Sequence, residues 1–241
     1  MEMDNNKPLM NLSRRNAIKY GGGFLGTGLL AAALGSNLNS PEPVVAQSEV
    51  NSEQALAQLM AGNKRFVAGK SKYPNQNLTR LQQVALGQKP FAAVLSCADS
   101  RVPVEIIFDQ GFGDIFVVRD AGNIATDEEI GSLEFGTLVL GAKVLLVIGH
   151  EACGAVVSTL KGAEVPGSIS SIIEAIEPAV ATYKGQQDNK QAVRQAVEAN
   201  VRYQVKTLEK SPVLSKLIQE GKLKIVGAYY SLSTREITLV S

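Results

Sequence analysis

The chain is short of several things. Of its 241 residues, one is histidine (His150) and two are cysteine (Cys97 and Cys153). There is no tryptophan, and aromatic residues make up only 5%, so the stacking platforms that hold single-stranded nucleic acid are scarce. No charge dominates. With 24 basic against 23 acidic side chains and no long basic run, nothing recommends a nucleic-acid role, and no such partner is expected. No internal repeat or low-complexity tract is present. At 45% hydrophobic and 20% charged, the composition is that of a globular protein, of a length suited to one or two domains. The scarcity of His and Cys is the most informative: a site for a soft metal must draw on those three side chains plus a carboxylate.

The N-terminus reads as an address label. Ser13-Arg14-Arg15-Asn16-Ala17-Ile18-Lys19 precedes a Gly/Ala/Leu-rich stretch from Tyr20 to about Leu34, and Val44-Val45-Ala46 supplies a small-residue cleavage pattern. These are the three regions of an export signal, and the paired arginines resemble the twin-arginine class. Ala17 and Ile18 stand where most such motifs carry Phe and Leu. The rival is a retained anchor, but the apolar stretch is only ~15 residues and glycine-rich, while a span needs ~20. Residues 1–46 are therefore expected to be a signal peptide and 47–241 a single functional domain. Export would be to the periplasm or a thylakoid lumen, with membrane contact only in transit. Four basic and three acidic residues fall in 1–46, leaving twenty of each, so the remainder carries no net charge and no global electrostatic steering is expected.

The rest alternates between helical and strand patterns. Residues 51–70 have helical spacing after Asn51/Ser52, and a short helix is expected over Leu78–Leu86. Phe91–Ser96, Asp114–Val118, Val144–Ile148 and Leu223–Tyr229 are short apolar runs that read as strands. Glu236–Val240 would pair beside the last through a turn at Ser231–Thr234. Glu128–Leu140, Gly154–Leu160, 168–184, 190–209 and 212–220 read as helices. Continuously apolar strands separated by helices predict an α/β fold with a mostly parallel central sheet flanked by helices.

Two clusters fall just past strand C-termini, where open α/β sheets place their ligands: Cys97-Ala98-Asp99-Ser100-Arg101 and His150-Glu151-Ala152-Cys153. Adjacent parallel strands would bring them together. Two thiolates and an imidazole suit zinc, and three protein ligands with an exchangeable fourth position, for water or Asp99, are the pattern of a catalytic site. Two other uses of these residues stand beside that one: a Cys97–Cys153 disulfide, which an exported protein can carry, and plain packing. Gly122 and Gly154 are candidates for close backbone approach to a metal, or for turn and helix-start chemistry. Glu151, between the would-be ligands, reads as support or surface rather than a catalytic group.

Cys97-Ala98-Asp99-Ser100-Arg101-Val102-Pro103 and His150-Glu151-Ala152-Cys153-Gly154 resemble the two signatures of the β-class carbonic anhydrases. Phe116-Val117-Val118-Arg119-Asp120-Ala121-Gly122-Asn123 and Gly131-Ser132-Leu133-Glu134-Phe135 match further family blocks between them. The likeness runs from about Gln54 to the C-terminus. It implies that Cys97, His150 and Cys153 ligate one zinc ion, that Asp99 and Arg101 form a catalytic dyad, and that the reaction interconverts CO2 and bicarbonate as zinc activates water. Asp99, freed from Arg101, could close the fourth position. The resemblance also implies a homodimer or homotetramer embraced by N-terminal helical arms, with Gln88 and Phe116 binding substrate at the partner's site. Gln88 favours a zinc site that stays open. Phe135 stands where comparable members have Tyr. Carbon disulfide or carbonyl sulfide hydrolysis on the same scaffold, and a non-catalytic zinc module, are the rival functions. With one histidine, and that one a ligand, no imidazole is left to shuttle the product proton, so turnover should depend on buffer.

Overall fold

A computed structural model describes residues 50–240; the expected signal segment lies outside the described residues. The first element is α1, Ser52–Val67. Asn51 caps it: its side chain accepts from the Gln54 N–H at 2.9 Å while the Gln54 side chain accepts from the Asn51 N–H at 2.9 Å, a reciprocal capping box. Ala55, Leu56 and Leu59 bury one stripe of α1 in the chain's own core beside Ile107 and Phe108. The short α2, Leu78–Val84, buries none of its residues.

Five strands follow in the chain: β1 Ala92–Cys97, β2 Ile115–Asp120, β3 Val144–His150, β4 Lys224–Tyr230 and β5 Ile237–Val240. Their order in the sheet is β2-β1-β3-β4-β5. All neighbours are parallel except β4 and β5, which run antiparallel. Every residue of β1 and β3 is buried, as strands covered on both faces require. This is the α/β architecture expected of the sequence, with strand limits shifted by a residue or two.

The helices are α3 (Val104–Ile107), α4 (Asp127–Glu134), α5 (Gly154–Lys161), α6 (Ile169–Val180), α7 (Lys190–Glu209) and α8 (Pro212–Gln219). Three depart from the expected pattern. The single turn α3 is too short to show a period. The helix expected over Glu128–Leu140 is α-helical only to Glu134, then widens to a π turn over Phe135–Val139. There Thr137 Oγ1 donates back to the Leu133 carbonyl at 2.8 Å, competing with the ladder. Gly136 lets the turn sit against Phe116, whose ring would lie 2.6 Å from a Cβ there. The helix expected over 168–184 is α-helical to Val180, with Pro178 inside it, and tightens to a 3-10 turn at Ala181–Tyr183. Among the described residues, no helix is long and apolar enough to cross a membrane.

Candidate metal centre and dyad

The parallel pairing of β1 with β3 sets Ser96 beside Ile148, so the two strands release their next residues at the same edge of the sheet. Cys97 closes β1 and His150 closes β3. Cys153 arrives by a tight bend in which Ala152 takes φ +54°, and it caps α5. The Cys97, His150 and Cys153 side chains are all buried, and one donor atom from each lies within 4.8 Å of the other two. Both cysteines are free thiols, so the disulfide reading is not what the structure shows.

The imidazole is aimed by its own loop. His150 Nδ1 donates to the Glu151 carbonyl at 2.9 Å, because a carbonyl can only accept. That leaves the lone pair of Nε2, which is buried with no partner. An orphaned ring nitrogen facing two sulfurs is the donor set of a tetrahedral soft-metal site, so these residues fit a zinc ion. The two sulfurs divide one proton between them, and one is biased toward the charged form a metal needs. Cys97 is held well below the usual thiol range, first by a hydrogen bond from the Cys153 thiol, then by contacts from His150 and from the N–H groups of Gly122 and Asp99, which together outweigh burial. Cys153 is pushed up by the same shared proton and by burial, while the N–H groups of Val156 and Ala155 in the first turn of α5 pull the other way.

Asp99 sits at the mouth. Arg101 grips it in three places: Nε to Oδ1 at 2.9 Å, Nη2 to Oδ2 at 2.7 Å, and the backbone N–H to Oδ1 at 2.9 Å. This bidentate fork holds the carboxyl well below the usual carboxylate range, so it is anionic at any working pH. Its Oδ2 lies 3.8 Å from His150 Nε2. Asp99 is thus at the rim of the donor set yet tied to Arg101.

Supports for the centre come from elements whose roles the sequence did not disclose. Arg119 of β2 donates Nε to the Cys97 carbonyl at 3.1 Å and Nη2 to the Asp99 carbonyl at 2.7 Å, pinning ligand and dyad segments together. It lies in a quoted block, but nothing in that block marks its target. Gly122, at φ +89°, is a turn glycine, and its N–H donates to Cys97 Sγ at 3.3 Å. A Cβ at Gly154 would meet open space, so there the helix-start reading holds. Glu151 accepts through Oε2 from Ser231 Oγ, Ser233 N–H and Ser233 Oγ at 3.1, 2.9 and 3.0 Å, which ties the ligand loop to the β4–β5 turn. Asp120, opposite Cys97 in the register, is pushed up to about 7, first by burial, against the Ile124 N–H and with Glu129 and Cys97 nearby.

Gln88 and Phe116 are not brought to this centre within one chain. Gln88 precedes β1, whose five steps from Ala92 to Cys97 span about 17 Å. It lines an exposed groove with Leu81, Leu86 and Phe112. Phe116 pairs with Ala93, four residues before the Asp120–Cys97 pair, or roughly 13 Å away. Its ring packs 6.3 Å from that of Phe135.

The carbonic anhydrase family model matches residues 92–237, the span from β1 to the start of β5. The chain belongs to the carbonic anhydrase family. It is 38% identical to carbonic anhydrase 2 of Mycobacterium tuberculosis over 187 residues, 76% of this chain and 89% of that one. Its fold matches that of a tetrameric β-carbonic anhydrase from the filamentous ascomycete Sordaria macrospora, with TM-score 0.64, 22% identity, and coverage of 78% and 98% of the two chains. It also matches Coccomyxa β-carbonic anhydrase, solved with acetazolamide, with TM-score 0.60, 26% identity, and coverage of 77% and 86%. The chain is a β-class carbonic anhydrase, a lyase, and the Cys97–His150–Cys153 cluster is a group that could hold a metal ion.

Proposed function

We propose that the chain catalyses the reversible hydration of carbon dioxide to bicarbonate and a proton, with one zinc ion held by Cys97, His150 and Cys153. The observation that carries this is the meeting of both cysteines and the only histidine at two adjacent strand ends, with His150 Nε2 left free beside a tethered Asp99. Bound zinc would supply a Lewis acid that makes water a nucleophile at neutral pH. The remaining work belongs to the chain. Asp99, anionic and 3.8 Å from the free ring nitrogen, accepts a hydrogen bond from the attacking oxygen and turns its lone pair toward CO2. Arg101 holds Asp99 in that role and off the ligand position. The product proton leaves to water or buffer.

The working unit in this reading is a homodimer or a larger homo-oligomer. Gln88 lies at the far end of β1 from its own centre, and the surface around it exposes Leu78, Leu81, Leu86 and Phe112, an apolar area that a second copy would cover. Gln88 and Phe116 then bind substrate across that interface, and the relative from Sordaria macrospora is described as tetrameric. The paired arginines at Arg14-Arg15 support export by the twin-arginine route to a periplasm or lumen, carrying the protein already folded around its metal.

The test is stopped-flow CO2 hydration by residues 47–241 purified with zinc, alongside metal analysis. The expected result is about one zinc per chain, activity lost on chelation and restored by zinc, and turnover that rises with buffer concentration. A zinc-loaded protein without hydration activity would overturn the reading, and preferential turnover of carbon disulfide or carbonyl sulfide would reassign it. Buffer-independent turnover would refute proton exit without an internal shuttle.

A further inference from the structure

Helix α7 buries Ala192, Val193, Ala196, Val197, Val201 and Leu208 along one face. Two amides interrupt that face: Asn200 is 0% exposed and Gln204 2%. Burying amides among aliphatic side chains is costly unless each donor and acceptor is used, and these are used in sequence. Gln204 Oε1 accepts from the Ala125 N–H at 3.0 Å, and its Nε2 donates to the Ala175 carbonyl at 3.3 Å and to Asn200 Oδ1 at 3.0 Å. Asn200 Nδ2 donates to the Gly122 carbonyl at 2.9 Å. Gly122, at φ +89°, donates its N–H to Cys97 Sγ at 3.3 Å. The chain of contacts therefore begins between α6 and α7 and ends on a sulfur of the metal-binding triad.

We propose that Asn200 and Gln204 are positioning residues for the metal centre: they lock the Gly122 turn so that its N–H stays on the Cys97 sulfur, and thereby set how much charge that sulfur gives to the metal. The physical need is specific to this donor set. Two thiolates neutralise a dication that neutral imidazoles would leave charged, which makes bound water less acidic. A hydrogen bond donated to one sulfur withdraws part of that charge, and contacts of this kind around ligands tune metals and their affinity. The inference deepens the proposed zinc reading and rests on it.

The test uses full-length domain variants Asn200→Leu and Gln204→Met, with Leu208→Ala as a control that loosens the same helix without touching the chain of amides. Zinc affinity is read by competition with a chromogenic chelator, and the cobalt(II)-substituted protein is read by its sulfur-to-metal charge-transfer band. Loss of the N–H contact raises the energy of the sulfur lone pair. Both amide variants are expected to move the band to longer wavelength, as the sulfur gives up more charge, and to weaken zinc binding by about tenfold or more, because a Cys97 no longer held in place by its turn loses more in orientation than its sulfur gains as a donor, with Leu208→Ala shifting neither. An unmoved band and unchanged affinity in the amide variants, or equal changes in all three proteins, would overturn the inference. If Asn200→Leu does not fold, Gln204→Met decides alone, because it leaves Asn200 in place and removes only its support. Failure of the wild-type protein to bind zinc or cobalt would instead defeat the metal assignment.

Discussion

Substituting Gly122 by alanine tests how the turn beside Cys97 is held. A Cβ there would lie 2.6 Å from Ile176 Cδ1 and 3.2 Å from the Ala155 Cβ, and the residue sits at φ +89°. The backbone penalty for a side chain in that region is roughly 1–2 kcal/mol. Forcing a methyl into a packed interior adds about 1–3 kcal/mol. Gly122→Ala should therefore cost roughly 2–5 kcal/mol, a large part of the ~5–15 kcal/mol that holds a domain together. Ile176→Val removes the atom that a new methyl would strike, at its own cost of about 0.5–1.5 kcal/mol. If the steric account is right, the double variant loses less than the two singles combined, by about 1 kcal/mol or more. The Ala155 contact and the backbone penalty keep it from full recovery. Urea unfolding of the four proteins, each with and without zinc, gives the cycle. Simple additivity, or a Gly122→Ala protein within about 0.5 kcal/mol of wild type, would refute the reasoning. The zinc-loaded series should show a larger deficit than the metal-free one, because a displaced turn takes its N–H off Cys97.

Asp99→Asn should retain zinc and lose hydration by about 10²–10⁴-fold, the range of a positioned acid–base group. Stopped-flow rates beside metal content check this, and full activity would remove Asp99 from the mechanism. Asp109 gives a pH-dependent case away from the centre. Burial would raise its pKa, but the Lys72 N–H, the Arg65 guanidinium and the Tyr73 N–H outweigh that and hold it below the usual range. Its contribution is therefore present above the unfolded pKa of ~3.9 and lost as pH falls through the lower folded value. Asp109→Asn should cost about 1–3 kcal/mol at pH 7, the scale of hydrogen bonds to a charged group. Its deficit in thermal unfolding should shrink below about pH 4, and a deficit unchanged down to pH 2 would count against this.

Much of the centre was legible because its chemistry and its placement share one signal. A run such as Val144–Ile148 ending at the sole histidine states both that a strand is buried and where it delivers a side chain. A second run ending at Cys97 does the same. The parallel pairing that joins them was expected because both runs are largely apolar and are separated by helical segments. The lost details were those set by tertiary contact. The π turn at Phe135–Val139 sets Gly136 against Phe116, twenty residues away, and its residues keep a helical period. Gln88 and Phe116 could be assigned to substrate only through likeness to relatives, since their positions along β1 and β2 place them far from their own chain's triad. Asn200 and Gln204 did leave a trace: two amides four residues apart on an otherwise apolar helical face. Read for burial alone they are breaks in a stripe, and their purpose appears only once Gly122 is seen against them.

The arrangement also explains why so few chemically active residues suffice. Each of the three clustered side chains is steadied by backbone: His150 by the Glu151 carbonyl, Cys97 by the Gly122 N–H beside its contact with the Cys153 thiol, Cys153 by its place at the start of α5. Arg119 spans the carbonyls of Cys97 and Asp99, so ligand and dyad cannot move apart without breaking a shared contact. Arg101 then tethers Asp99 through both its guanidinium and its backbone N–H. Asp99 Oδ2 lies 3.8 Å from His150 Nε2, and the guanidinium that grips it belongs to a side chain 54% exposed, which is therefore open to competing anions and to salt.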